Sequence, residues 1–240
     1  MTVKNKTKPI FSVRLVILLQ LLQFLAFIVL ALPLIVSKTM GYPLTDKIGL
    51  TVQTFYLFVL VAQAIGCIVS FVIVRNRLKI NKLVWSDLGF KPFRIGKATL
   101  YILGFYALMF CILIFLTILT TATGVNRDGG TASAAKHLQA IMGLWPSILA
   151  TVIIGPIVEE ILFRGILFKT LLQKHGILFS VVVGGIVFAA IHLNPIQAIT
   201  ALPMGIYLCV MYRKLGSIVP GIFLHASWNL LVAVITVNAL

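Results

Sequence analysis

The residues of this chain that could do chemistry are two adjacent glutamates, two histidines and an asparagine, all within apolar runs. Glu159 and Glu160 lie in the stretch GPIVEEILFRG, His192 lies in FAAIHL, and His225 and Asn229 lie in FLHASWN. A carboxylate and an imidazole that face one cavity can activate a water molecule. A second imidazole and an amide can donate hydrogen bonds to a developing oxyanion. The residue types therefore predict hydrolysis by activated water, without a covalent nucleophile.

A cation on the same helix offsets part of the cost of the two glutamates. A carboxylate at the centre of a bilayer costs about 2.5–3.5 kcal/mol on insertion scales. Arg164 follows Glu160 by four residues, so the two side chains share a helix face and can pair. Glu159 is rotated by about 100° from Glu160 and has no such partner. The sequence thus predicts a structural pair, Glu160–Arg164, and a separate, reactive Glu159.

The spacing of the glutamates and histidines along the chain brings them to similar depths. A polar turn lies near residues 174–176, with Glu159 about 16 residues before it and His192 about 16 after it. Two antiparallel helices joined there place both groups about 24 Å from the turn. His225 follows the next polar turn, and Asn229 shares its helix face at i, i+4. We therefore expect Glu159, His192, His225 and Asn229 to meet within the membrane.

The composition is that of a helical membrane protein. The chain has 240 residues, of which 60% are hydrophobic and 10% charged, and its mean hydropathy is +1.11. Several continuous apolar runs reach the roughly 20 residues that a membrane-spanning helix needs. We expect an all-α polytopic membrane protein with a catalytic cavity inside the membrane, forming a single domain over 1–240 with a motif-bearing core at about 140–239. The expected spans lie near residues 12–36, 52–74, 98–121, 177–194, 196–212 and 218–239.

The stretch 140–172 sets the number of spans. It is about 33 residues long, too long for one upright helix, and the Gly155-Pro156 pair in its middle predicts a break or kink. The chain therefore has seven spans, or eight if both halves of this stretch cross. With seven spans and a cytoplasmic N-terminus, 15 basic residues lie on the cytoplasmic side against 4 on the other. This asymmetry favours seven spans at the cell membrane, with the N-terminus inside and the C-terminus outside.

The remaining charged and reactive residues do not point to other functions. The formal net charge is +15, but the basic residues sit between apolar runs, which excludes a nucleic-acid partner. The basic loop 75–97 contains Trp85, Phe90 and Phe93 and is either a segment that lies on the inner leaflet or an ordinary loop. Three cysteines in apolar runs make neither a disulfide framework nor a metal spacing.

Two alternatives to metal-free water attack remain at the site. A divalent metal could bind Glu159, His192 and His225 with one position left for water, and these ligand types suit zinc. Because no HExxH motif is present, the metal alternative is the weaker one. Ser227 is an unsuitable nucleophile, since it lies two residues from His225 and points to a different helix face.

Three motifs resemble those of a known family. EEILFR (159–164), FAAIH (188–192) and HASWN (225–229) are similar to the EExxxR, FxxxH and HxxxN motifs of the CAAX protease and bacteriocin-processing family of intramembrane endopeptidases. The resemblance implies that Glu159 and His192 activate water and that His225 and Asn229 form the oxyanion site. It leaves Glu160, Arg164 and Phe188 as structural support. Members of the family have been described both as metalloproteases and as metal-independent glutamate proteases.

The resemblance covers residues 159–229 and implies a bacterial role in peptide or bacteriocin maturation or in self-immunity. The expected partners are a peptide or membrane-protein substrate and the lipid bilayer, and the expected cofactor is none, with zinc as the alternative. Two other functions compete with peptide hydrolysis. One is a non-catalytic immunity or scaffold protein on the same fold. The other is a proton-coupled transporter, which the lack of inverted repeats disfavours.

Overall fold

The computed structural model describes residues 14–19, 21, 52–124, 148–192 and 195–238. Within these ranges the chain is helical and contains no strand, as predicted. Residues 14–19 are helical, and six further helices follow: α1 Val52–Ile80, α2 Ile95–Thr123, α3 over 148–174, α4 Ile177–Ala190, α5 Pro195–Leu215 and α6 Val219–Asn238. Most of the expected span 12–36 and the first part of 140–172 lie outside the described residues, so seven against eight spans stays a prediction.

Helix α2 has the length and composition of a membrane span. Its 29 residues correspond to about 44 Å of helix, more than the roughly 30 Å hydrocarbon core of a bilayer. Its best window has a mean hydropathy of 2.7, and most of its side chains face outward, as expected for a helix surrounded by lipid. Gly124 ends it in the left-handed conformation with φ of 68°, which glycine adopts without strain. Among the described helices, α2 alone is both long and apolar enough to cross a membrane. Ile177–Ala190 and Val219–Ile235 are shorter apolar helices.

Helix α3 carries the two glutamates and changes its winding along its length. Wider π windings at Leu149–Ile154 and Ile161–Phe168 alternate with α windings at Gly155–Glu160 and Lys169–Lys174. The Gly155 N–H bonds to the carbonyl of Ala150, five residues back. A π winding can absorb the missing N–H and the bulk of the ring at Pro156 without interrupting the helix. The break predicted at Gly155-Pro156 is therefore a change of winding within one continuous helix.

Glycines allow α4 and α5 to pack closely. A Cβ on Gly185 would lie 2.5 Å from Ile206 Cγ1 and 3.1 Å from the Ile206 backbone nitrogen. A Cβ on Gly205, in α5, would lie 3.1 Å from Gly185 Cα and 3.0 Å from Phe188 Cδ1. Such close backbone approach is typical of helix pairs in membranes. It brings the end of α4, with Phe188 and His192, against α3 and α5.

The loop between α1 and α2 is docked onto the helical core. Leu88 is buried, and its carbonyl oxygen would be 2.9 Å from a Cβ on Gly165 of α3. Lys169 Nζ donates to the Asp87 carbonyl, and the Ile218 N–H donates to the Gly89 carbonyl at 2.9 Å. The loop thus joins α3 to the start of α6.

The aromatic residues of the same loop have intramolecular contacts. Trp85 stacks on Phe71 of α1 with ring centroids 5.3 Å apart and meets Phe90 edge-on at 5.7 Å. Residues 75–80 belong to α1, so the loop is shorter than the sequence suggested. Contact of this loop with the inner leaflet stays a prediction.

Adding one methyl group at the α4–α5 contact should destabilise the protein. We expect Gly185→Ala to lower the free energy of unfolding by about 1–3 kcal/mol, because the new Cβ meets backbone atoms that cannot move aside. Thermal unfolding in detergent measures the effect. Gly176→Ala is the matched control, since a Cβ there would have nothing within 4 Å. Equal stability of the two variants would contradict the described packing.

Candidate active site

The Glu160–Arg164 pair lies at the centre of the site and is completely buried. Arg164 Nη1 donates to Glu160 Oε1 at 2.7 Å, one helical turn away. Arg164 Nη2 donates to the Gly205 carbonyl of α5 at 3.2 Å, and its guanidinium covers the Phe188 ring of α4 at 4.4 Å from the centroid. The pair expected from the i, i+4 spacing is therefore present, and it links α3 to α4 and α5.

Glu159 occupies a different environment from its neighbour. Its side chain is 24% exposed, against 1% for Glu160. Its Oε2 lies 3.8 Å from His225 Nε2, beyond hydrogen-bond distance but within the range of a charge interaction. Glu159 is thus the more exposed of the two carboxylates, whereas Glu160 is held inside the protein.

His225 lies between the two carboxylates. Its Nε2 faces Glu159, and its Nδ1 lies 3.4 Å from Glu160 Oε1. The residue is 3% exposed. Its helix approaches α3 closely because Gly221, one turn earlier on the same face, has no side chain: a Cβ there would lie 2.9 Å from Glu160 Oε2.

His192 lies in the turn that follows α4 and is anchored to the last turn of that helix. Its Nδ1 lies 2.9 Å from the Phe188 carbonyl oxygen. A carbonyl can only accept, so Nδ1 carries the proton and the neutral ring has its acceptor at Nε2. Phe188 packs against both imidazoles, with centroid distances of 5.2 Å to His192 and 5.6 Å to His225. His192 makes no ion-pair contact with either glutamate among the described contacts.

Asn229 connects α6 to the first π winding of α3. Its Nδ2 donates to the Thr151 carbonyl at 2.8 Å. One amide hydrogen is therefore used in helix packing, and the second hydrogen on Nδ2 remains for another acceptor.

The site contains polar atoms that are buried without a hydrogen-bond partner in the described part of the chain. They are Glu159 Oε2, Glu160 Oε2, Arg164 Nε and His225 Nδ1. Buried polar atoms are normally hydrogen-bonded, so a cluster of exceptions marks a place where water or a ligand fits or where strain serves a function. All four atoms belong to residues that the sequence singled out.

The described side chains do not form a metal site. They include no group of three histidine, cysteine, aspartate or glutamate residues that could hold an ion. Glu159 and His225 approach each other, and His192 Nδ1 is anchored to the Phe188 carbonyl. The zinc alternative on Glu159, His192 and His225 stays a prediction for metal analysis.

The Ser227 hydroxyl takes part in hydrogen bonds within α6 and to α2. It donates to the Leu224 carbonyl and accepts from Tyr106 of α2, both at 2.9 Å. Ser227 lines an open apolar groove of about 380 Å³ between α2 and α6, together with Tyr106, Leu230, Leu231 and Val234. No motif in the sequence indicated Tyr106, because its hydrogen bond to Ser227 joins residues that are 121 positions apart in the chain. That Ser227 is not a nucleophile stays a prediction.

Removing Arg164 should leave a buried negative charge. We expect Arg164→Ala to destabilise the protein by about 3–5 kcal/mol, because Glu160 would lose its cation while remaining buried. The folded fraction after detergent extraction, measured by size-exclusion chromatography, reports the loss. Arg75→Ala, which removes an exposed arginine, is the control and should have little effect. A fully folded Arg164→Ala protein would contradict this account.

Comparison with known proteins agrees with the three motifs. Residues 141–231 match the family described as "Type II CAAX prenyl endopeptidase Rce1-like". A Bacillus subtilis protein named "Putative membrane peptidase YdiL" is 28% identical over 141 residues, which cover 58% of this chain and 57% of that protein. The chain thus spans little more than half the length of this curated relative. No solved structure matches.

The matched segment contains Glu159, His192, His225 and Asn229. It extends beyond the motifs and includes all of α3 and more than half of α6. The family resemblance seen in the sequence is confirmed: residues 141–231 are similar to the type II CAAX prenyl endopeptidase, Rce1-like family.

Proposed function

We propose that this chain is an intramembrane endopeptidase that hydrolyses a peptide bond with a water molecule activated at Glu159. The family match and the relative named as a membrane peptidase support a membrane peptidase in general terms. The observation that carries the mechanism is the 3.8 Å separation of Glu159 Oε2 and His225 Nε2.

This separation suits one water molecule held by both groups. A water that donates one hydrogen to each of two acceptors keeps them roughly 4–4.5 Å apart. Glu159 Oε2 and His225 Nε2 are slightly closer than this, a difference that a small side-chain rotation removes. The lone pairs of such a water remain free to attack a carbonyl carbon, which is the requirement for a nucleophile.

The reaction then follows from the positions of the groups. Glu159 takes one proton from the water as its oxygen bonds to the carbonyl carbon, and the carbonyl oxygen becomes an oxyanion. The proton on Glu159 passes to the amide nitrogen as the C–N bond breaks. The products are a carboxylic acid and an amine, and Glu159 is again a carboxylate.

The other polar residues have narrower roles. The second amide hydrogen of Asn229 is the donor that it can offer to the oxyanion. His192 presents Nε2 as an acceptor, which suits proton transfer to or from the reacting groups. The resemblance assigned water activation to His192 and the oxyanion to His225, whereas the contact between His225 and Glu159 favours His225 for the water.

The biological setting is part of the same proposal. The apolar helices and the basic loops favour a multi-pass protein of the cell membrane with a cytoplasmic N-terminus. The substrate is then a peptide or a membrane protein, in peptide or bacteriocin maturation or in self-immunity.

Replacing the carboxylate of Glu159 by an amide should abolish hydrolysis. We expect Glu159→Gln to reduce kcat by roughly 100-fold or more, because the general base is lost while the side chain keeps its size. The peptides that are released or retained by cells carrying the wild type and the variant can be compared by mass spectrometry. Asp87→Asn makes the same chemical change at a loop carboxylate and should leave the peptides unchanged. An unaltered peptide profile in Glu159→Gln would instead favour a non-catalytic immunity or scaffold protein.

Activity should not depend on a bound metal. We expect purified, active protein to contain well under one metal ion per chain and to keep its activity after treatment with a chelator, since no group of three His, Cys, Asp or Glu side chains among the described residues is arranged to hold an ion. Metal content by mass spectrometry, measured on the same sample as activity, is the test. Stoichiometric zinc that is lost together with activity would overturn the metal-free mechanism.

A further inference from the structure

We propose that Glu160 is a positioning residue for His225. Its carboxylate holds the Nδ1 side of the imidazole and thereby directs Nε2 to Glu159. The sequence assigned Glu160 to structural support through Arg164, and the contact with α6 adds a second role. This inference deepens the proposed function and rests on it for the reaction that His225 serves.

The contacts of Glu160 Oε1 support this role. The same oxygen accepts the hydrogen bond from Arg164 at 2.7 Å and lies 3.4 Å from His225 Nδ1. Arg164 is itself fixed by the Gly205 carbonyl and by the face of Phe188. Glu160 therefore cannot swing freely, and a carboxylate oxygen with a fixed position can fix the ring beside it.

The proton on His225 follows from the acceptor character of that oxygen. An ionised carboxylate has no hydrogen to donate. A proton on Nδ1 makes the approach to Glu160 favourable, whereas a lone pair there would face another lone pair. His225 Nδ1 makes no hydrogen bond in the described structure, so its 3.4 Å approach to Glu160 Oε1 is a charge contact and not a closed hydrogen bond. With the proton on Nδ1, the neutral ring has its acceptor at Nε2, facing Glu159, as the proposed water site requires.

Gly221 makes this arrangement possible. It lies one turn before His225 on the same face of α6, and a Cβ there would approach Glu160 Oε2 to 2.9 Å and Leu208 Cδ2 to 3.4 Å. The methyl group of an alanine would push the carboxylate away from its present position. Alanine also has the higher helix propensity, so the change should displace Glu160 without weakening α6.

Two variants test the inference. Gly221→Ala displaces the carboxylate, and Glu160→Gln removes its charge while keeping the oxygen that Arg164 can bind. Gly96→Ala is the matched control, since a Cβ at Gly96 in α2 would have nothing within 4 Å. If one of the two variants fails to fold, the other still gives an answer. Each is measured per folded molecule in two ways, by steady-state kinetics and by ¹⁵N NMR of the histidine rings.

We expect kcat to fall about tenfold or more in both variants, with KM changed by less than about threefold, because a misdirected His225 loses part of the roughly 10²–10⁴-fold contribution of a positioned acid or base. The ring nitrogen signals of His225 should move while those of His192, which is held by Phe188, stay in place. The chain has only 4 histidines, and a His225→Ala spectrum assigns the signal. Gly96→Ala should match the wild type in both measurements.

The inference is overturned if kcat per folded molecule is unchanged, if the His225 signals do not move, or if the signals of both histidines move together. A purely structural Glu160 would lower only the amount of folded protein. The proposed function fails separately: a wild type that cleaves no peptide would refute it, while a selective shift of the His225 signals would still support the contact. Loss of cleavage in Glu159→Gln with full activity in both new variants would leave the function intact and overturn the inference.

Discussion

The site depends on one buried cation. A guanidinium removed from water needs partners for its charge, because desolvation costs several kcal/mol per ion. Arg164 finds them in a carboxylate, a main-chain carbonyl and an aromatic face, which come from α3, α5 and α4, while its Nε has no hydrogen-bond partner among the described residues. Its planar geometry lets one side chain serve all three. The same residue therefore neutralises Glu160 and fixes the helices that carry the two histidines.

This arrangement separates the tasks of the two adjacent glutamates. Glu160 is enclosed and fixed on several sides, whereas Glu159 is partly exposed and contacts His225 at a longer distance. A rigid group is suited to orienting its neighbours, and a group with access to solvent is suited to exchanging protons. Phe188 packs against both imidazoles and helps to fix their positions. Adjacent residues of identical type can thus have different functions because the helix turns them to different surroundings.

The sequence predicted the local parts of this site and missed the parts that depend on winding. The Glu160–Arg164 pair could be found because both residues lie on one helix, and the ends of α2, α4, α5 and α6 fall close to the limits of the apolar runs. The approach of His225 to Glu159 could not be ranked against that of His192, because it depends on how α6 packs on α3, where Gly221 leaves room beside Glu160. The sequence singled out Asn229 as a site residue. It could not indicate the bond to Thr151, because the two residues are 78 positions apart in the chain. The residue types between 149 and 168 do not predict a π winding.

The bond that Asn229 makes to α3 ends on the main chain. The Thr151 carbonyl lies within the first π winding of α3, and its oxygen accepts from a neighbouring helix. Any amino acid at position 151 would supply the same oxygen. Selection for this contact therefore acts on the asparagine and on the winding of α3. It does not constrain the type of side chain at position 151. Two positions joined in this way would show no correlated substitution during evolution, although they touch in the folded protein.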